Sequence, residues 1–320
     1  MKKIGKLILK IVAVLVGIVG LTLLFVNFRG VPSYEVNIPE NIKNVHVEVT
    51  PERVARGEKI ATIMCNACHA NENNRLVGKH IADLPPEFGK AYSLNITQDA
   101  EDGIGSWTDG ELMYFLKTGI KRNGNYAPIM PKFPRMADED LKSVIAYLHS
   151  DRFPVQATKG VGHEQEPSFL LKVLTNTVMK PLAPITEPIL VPDSTDMVTF
   201  GKYIANDLIA CYGCHSGDFA KEDPLHPEQS FGFYGGGIKM PDLEGNIIPS
   251  ANLTFDEETG IAKKYNEEQF VQAVKLCKKP DGSLLRYPML PHLTLTDYEV
   301  KAIYAYLKTV PKIKNDVSKL

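Results

Sequence analysis

Two five-residue motifs constrain this chain more than anything else in it: Cys65-Asn-Ala-Cys68-His69 and Cys211-Tyr-Gly-Cys214-His215. On a helix the first Cys, the second Cys and the His of each motif stand at i, i+3 and i+4, so all three point the same way. Two thiols on one face can form thioethers with the two vinyl groups of a single haem, and the His is then placed to bind the iron from that side. Cys-x-x-Cys-His is the pattern of c-type haem attachment, and at this composition chance supplies on the order of 10⁻³ such motifs. A zinc site built from both Cys pairs would want them about 15–20 residues apart; here 142 residues separate Cys68 from Cys211. A redox dithiol needs no His after the second Cys, and plain disulfides would not explain the His twice.

The motifs belong to a unit written twice. Gly57-Glu-Lys-Ile-Ala61 precedes the first and Gly201-Lys-Tyr-Ile-Ala205 the second. Asn95-Ile-Thr97 is matched by Asn252-Leu-Thr254, Gly103-Ile104 by Gly260-Ile261, and Ala127-Pro-Ile-Met130-Pro131 by Arg286-Tyr-Pro-Met289-Leu290. Each copy closes on Ala-Tyr-Leu, at 146–148 and 305–307. Leu141, Val144, Ile145 and Leu148 share one helix face, as do Val300, Ile303, Tyr304 and Leu307. Thr296 with Glu299 predicts a capping box before the second closing helix, and Asp138 a cap for the first. Opening helices are expected over about 51–66 and 196–212, and middle helices over about 109–119 and 266–277. Alternating strand patterns are nearly absent, so the expected fold class is all-α. Prolines 154, 167, 181, 184, 188 and 192 mark 153–195 as a linker, with Phe169 to Met179 as a short apolar helix. The expected organisation is 1–30, 31–50 as linker, 51–152 as the first copy, 153–195, 196–312 as the second copy, and a tail over 313–320.

Iron held by His on one side needs a second axial ligand or an open site. Met130 and Met289 are the candidates. Each lies 11 residues before the first apolar position of its closing helix, Leu141 or Val300. Each sits in a loop stiffened by proline: Pro128 and Pro131, then Pro288 and Pro291. A lone Met would read as core, but equivalent placement in both copies favours ligation. His292, three residues past Met289, is the rival ligand. Met64, Met113, Met136, Met179, Met197 and Met240 read as core or surface. His46, His80, His149, His163 and His226 are expected to be exposed. Cys277 aligns with Gly119, so nothing requires a thiol there, and it is expected as a buried free Cys.

Lys2, Lys3, Lys6 and Lys10 precede an apolar run from Ile11 to Val26. With its flanks the run is long enough to cross a bilayer. It is longer than a signal-peptide core and no A-x-A site follows, so an uncleaved anchor is favoured over a cleaved signal. The lysines keep the N-terminus inside, sending the remainder across. Without those four lysines and Arg29, 31 basic residues face 38 acidic ones, so nucleic acid is not an expected partner.

Asn95-Ile-Thr97, Gly103-Ile-Gly-Ser-Trp107-Thr108, Pro128-Ile-Met130-Pro131 and Asn252-Leu-Thr254 resemble the class I cytochrome c family. The resemblance covers 51–310 and is narrowest to cytochrome c subunits of membrane-bound quinoprotein alcohol dehydrogenases and flavin sugar-acid dehydrogenases. It implies tandem cytochrome c domains, each of about three main helices around a haem, behind an N-terminal transmembrane helix. It also implies two covalent haem c groups on Cys65, Cys68, Cys211 and Cys214, with His69, Met130, His215 and Met289 on iron. Those subunits usually carry three haem domains, and this chain reads Ala262-Lys-Lys-Tyr265 where the first copy has Gly-Ser-Trp-Thr. His/Met ligation closes the iron to substrate and leaves electron transfer. The expected function is therefore a dihaem electron carrier rather than an enzyme, anchored in the inner membrane with its haem domains in the periplasm. Its partners would be a dehydrogenase or quinol-oxidising complex and an oxidase or soluble carrier. A dihaem peroxidase is the alternative, but it needs one open iron and an acid–base group beside it.

Overall fold

The computed structural model describes residues 2–160, 162 and 165–320, so His163 lies outside the described residues. Helix α1 (Lys2–Arg29) is apolar enough over Ile4–Arg29 to cross a membrane, with a mean hydropathy of 2.8. Its apolar side chains stand free of the protein, except Val26 near its end.

Helix α2 (Pro51–Met64) starts on Thr50, whose hydroxyl accepts from the Arg53 N–H, and on Pro51 at a position where no N–H is needed. It crosses α4 (Asp138–Leu148) at a point only glycine allows: a Cβ on Gly57 would lie 1.9 Å from the Ser143 carbonyl oxygen. The same crossing recurs between α6 (Met197–Lys202) and α8 (Asp297–Leu307). There a Cβ on Gly201 would lie 1.9 Å from the Ala302 carbonyl oxygen. The matched glycines are thus the contact points of two equivalent helix pairs. Between the members of each pair comes a middle helix, α3 (Asp109–Thr118) or α7 (Glu267–Leu276), each opened by a capping box, Thr108 with Glu111 and Asn266 with Gln269. Each middle helix ends on a left-handed residue, Gly119 at φ 80° and Cys277 at φ 54°.

The capping box of Thr296 and Glu299 forms as expected. The cap expected from Asp138 does not: the N-cap is Ala137, with no side-chain bond. Asp138 is the first helical residue and takes Lys117 Nζ at 2.9 Å instead. Lys117 is almost fully buried, and a buried ammonium without a counter-charge costs far more than a missing cap. The second opening helix also departs from expectation. After Lys202 the chain widens into a π-helical stretch over Tyr203–Leu208, then breaks at Ala210 (φ 48°) before the short helix Cys211–His215. Within the wide stretch Asn206 points inward, donating to Tyr306 Oη at 3.0 Å and accepting from Tyr234 Oη at 2.7 Å.

Strand is confined, among the described residues, to two antiparallel ribbons, Gly89–Lys90 with Glu166–Pro167 and Lys239–Pro241 with Ile247–Pro249. The segments expected as linkers pack closely. Residues 31–50 bury Ile42 and Val47 and bond Tyr34 N–H to the Gly124 carbonyl at 2.8 Å. Within 153–195, α5 (Phe169–Thr177) starts on the Ser168 hydroxyl, and the Ile189 carbonyl accepts from the Asp138 N–H.

The two helix pairs share one continuous apolar core and a polar seam. Arg56 forks onto Asp140, with both bonds at 2.8 Å, and Tyr203 Oη donates to the same carboxylate at 2.5 Å. Lys59 Nζ reaches the Glu299 carboxylate at 2.5 and 2.6 Å. Asp140 and Glu299 are buried, so the seam neutralises charges that burial would otherwise penalise.

Candidate haem sites

Each Cys-x-x-Cys-His motif sits at the end of an opening helix. Cys65 ends α2 and begins the turn Asn66–His69; the second motif is the helix Cys211–His215. The two histidines are held identically. His69 Nδ1 lies 2.7 Å from the Leu94 carbonyl oxygen, and His215 Nδ1 lies 2.9 Å from that of Ala251. A carbonyl only accepts, so Nδ1 carries the proton and Nε2 keeps its lone pair free for a metal. Burial lowers the pKa of both rings, favouring the neutral form that ligates.

The other repeated residues build the loop that supplies those carbonyls. Asn95 Oδ1 accepts from the Thr97 N–H and Asn252 Oδ1 from the Thr254 N–H, both at 2.9 Å. Their amide NH₂ groups reach across the chain to the carbonyls of Thr158 and Ile313. Gly103 and Gly260 pass so close beneath that a Cβ would meet the Thr97 or Thr254 carbonyl oxygen at 2.3 or 2.0 Å. The adjoining N–H groups of Ile104 and Ile261 bond those same oxygens at 2.9 and 3.0 Å. Asn-x-Thr and Gly-Ile are therefore one device for fixing a ring orientation, used twice.

Each motif opens on its own cavity. One, of about 350 Å³, is lined by Cys65, Cys68, His69 and Met130. The other, of about 420 Å³, is lined by Cys211, Cys214, His215 and Met289. Both volumes fall in the range of built ligand pockets. The structure thus brings each predicted Met to the cavity of its predicted His. It brings His292 to the second cavity too, where burial and the nearby His215 lower its pKa; Phe133 occupies the matching place in the first.

Several lining residues lie outside the set expected from the sequence. Met64 lines the first cavity and Met240 the second, without being counterparts of one another. Lys121 and Lys279 are counterparts, each two residues past the left-handed end of its middle helix, and each lines its cavity. The equal spacing from Gly119 and Cys277 could have found them. Cys277 is buried as expected, and its thiol lies 3.5 Å from the Met289 carbonyl oxygen. His46, His80 and His226 are exposed, whereas His149 is partly covered, with Nε2 3.2 Å from Asp109.

The donor set fits a covalently held porphyrin better than the alternatives. Burial pushes the Cys65 and Cys211 thiols up to about 12, whereas a redox dithiol depends on a depressed thiol pKa. No group of three or more His, Cys, Asp or Glu among the described residues is disposed to hold a bare metal ion. What remains around each apolar cavity is two thiols, an imidazole with a free nitrogen and a loop thioether, with Met64 also lining the first cavity and Met240 and His292 the second.

Residues 52–148 match the family model described as "Cytochrome C oxidase, cbb3-type, subunit III". Over 85% of its length the chain is 28% identical to the fructose dehydrogenase cytochrome subunit of Gluconobacter japonicus, spanning 56% of that protein. It is also 28% identical to the gluconate 2-dehydrogenase cytochrome c subunit of Pantoea cypripedii, over 80% of this chain and 59% of that one. A "diheme cytochrome c-type" protein of Cereibacter sphaeroides is 25% identical over 81% of this chain and 86% of its own length. The chain therefore spans little more than half the length of the dehydrogenase subunits it resembles. Residues 52–148 thus resemble a cytochrome c domain, and over most of its length the chain is similar to proteins named as cytochrome c subunits and as a diheme cytochrome c.

Proposed function

We propose that this protein is a dihaem electron carrier of two cytochrome c domains in tandem, held to the inner membrane by α1 with both domains on the periplasmic side. The observation that carries the proposal is the pair of equivalent cavities, each lined by two Cys, a His with free Nε2, and a loop Met. Haem c bound there supplies one-electron redox chemistry. Cys65, Cys68, Cys211 and Cys214 would hold the two groups covalently, with His69 and Met130, then His215 and Met289, on the irons.

The chain's own residues support that chemistry in three ways. The Leu94 and Ala251 carbonyls fix the imidazoles, and this polarisation raises the basicity of the ligating nitrogen. The prolines beside Met130 and Met289 hold the thioethers in place. Lys121 and Lys279 offer each cavity an ammonium to meet the anionic carboxylates of a porphyrin. Were His69 and Met130, and His215 and Met289, to hold the irons, substrate would have no site there, which separates this reading from a peroxidase.

The relatives named for fructose and gluconate dehydrogenases support a dehydrogenase catalytic subunit as electron donor. The acceptor would be an oxidase or a soluble carrier. The test is the near-infrared spectrum of the ferric protein, which contains a charge-transfer band when methionine ligates iron. Met130→Ala and Met289→Ala should each remove one component of that band, and peroxide turnover by the native protein should stay at the level of free haem. High-spin ferric haem in the native protein, or a band indifferent to both substitutions, overturns the proposal.

A further inference from the structure

Helix α5 has one face committed to the protein and one that is not. Leu171 and Thr175, one turn apart, are buried, and Leu171 lines the first cavity. Phe169 and Leu170 are each 44% exposed, and Val178, just past the helix end, is 71% exposed. This outward apolar face adjoins the end of α1. Lys172 Nζ lies 3.1 Å from Asn27 Oδ1, and Asn176 Nδ2 donates to the Gly30 carbonyl at 2.9 Å. Phe28, on the last turn of α1, is 85% exposed. The charge is uneven as well: in a chain with 38 acidic residues, 167–186 contains none, while Lys172 and Lys180 lie within it and Arg29 ends α1.

We propose that α5 is a second membrane contact, lying in the lipid headgroup layer beside the exit point of α1 with Phe169, Leu170 and Val178 toward the acyl chains. An apolar face bordered by lysines and free of carboxylates is the composition of helices that lie in that layer. The occupant is lipid rather than a protein partner because the face continues the apolar surface of α1 itself. One contact would let the protein swivel about α1. Two contacts fix the first cavity, through Leu171, at a set orientation near the bilayer surface. The inference rests on α1 being a membrane anchor.

The test uses the full-length, haem-loaded protein in vesicles of phosphatidylcholine with an anionic lipid, doped with a phospholipid bearing a photoreactive diazirine near the acyl carbonyl. Labelled peptides are mapped after illumination, with the exposed hairpin residues Leu243 and Ile247 as the control for chance contact. Lipid adducts are expected within 4–29 and 167–182 but not 241–247, and Leu170→Asp with Val178→Asp should remove those in 167–182 alone. Adducts confined to 4–29, or equally frequent in 167–182 and 241–247, overturn the second contact while leaving the anchor. Adducts in neither 4–29 nor 167–182 overturn the anchor and the inference with it.

Discussion

Lys59 and Tyr203 stand at the same position of the two opening helices, and each reaches into the other half of the protein. Lys59 Nζ binds the Glu299 carboxylate at 2.5 Å, and Tyr203 Oη binds Asp140 at 2.5 Å. Glu299 and Asp140 are themselves counterparts, each the third residue of a closing helix. The seam between the halves is thus a reciprocal exchange of contacts, with Arg56 serving both acids at 2.8 and 3.6 Å.

The exchange is reciprocal in geometry but not in chemistry. Removing one partner of a buried ion pair costs about 3–5 kcal/mol, because the other charge is left unpaired. Lys59→Met should fall near the lower end, since Arg56 stays close to Glu299. Tyr203→Phe removes one bond to a charged acceptor that keeps both Arg56 bonds, together with the oxygen that accepts from the buried Ala137 N–H at 3.2 Å, and should cost about 1.5–3 kcal/mol. Denaturant midpoints of the full chain should place Lys59→Met below Tyr203→Phe, and both below the parent.

The helix crossings make a symmetric prediction. Ala has higher helix propensity than Gly, yet at Gly57 and Gly201 its methyl group would sit 1.9 Å from a backbone oxygen. Gly57→Ala and Gly201→Ala should each destabilise by at least about 1–3 kcal/mol through overpacking. Thermal melting should show both, and an unchanged midpoint for either would contradict the crossing.

Glu222 sets a pH dependence of unusual sign. Burial, with the Asp218 carboxylate adding to it, pushes its pKa up to about 8 from an ordinary 4.5, and its Oε1 is buried without a hydrogen-bond partner. Between those values the folded protein holds a proton that the unfolded chain releases. Its contribution is therefore fully present below about pH 4.5 and is lost as pH rises toward 8. Unfolding measured across that window should show Glu222→Gln flattening the decline in stability.

The rival ligand at the second cavity is separable from Met289 by substitution. Phe occupies the matching position, Phe133, in the first cavity. His292→Phe should therefore leave both methionine charge-transfer bands in place, while Met289→Ala should remove one. A native spectrum with only the band that Met130→Ala removes, unchanged in Met289→Ala, would assign the second ligand to His292.

What was legible in the sequence lay in short, repeated strings. The motifs, the methionine loops, the closing-helix periodicity and the Thr296–Glu299 box all depend on residues close together in the chain, and repetition made each visible twice. What was not legible depends on distant partners. Asp138 reads as a cap until Lys117 is seen buried beside it. The π-helical stretch at Tyr203–Leu208 surrounds Asn206, whose partners Tyr234 and Tyr306 are 28 and 100 residues away. Segment 153–195 reads as a linker because prolines recur through it, and only tertiary contacts show it and 31–50 packed. Lys121 and Lys279 are an intermediate case, marked in the sequence only by their equal spacing from Gly119 and Cys277.

The central claim is that two macrocycles are joined to this polypeptide through Cys65, Cys68, Cys211 and Cys214. Intact-mass analysis of the protein purified from its own membranes, under denaturing conditions that strip any non-covalent cofactor, tests it most directly. The account predicts the polypeptide mass plus two haem groups, falling by one in the Cys65→Ser/Cys68→Ser variant and by the other in Cys211→Ser/Cys214→Ser. A bare polypeptide mass, or a haem retained in either double variant at its own site, would contradict it.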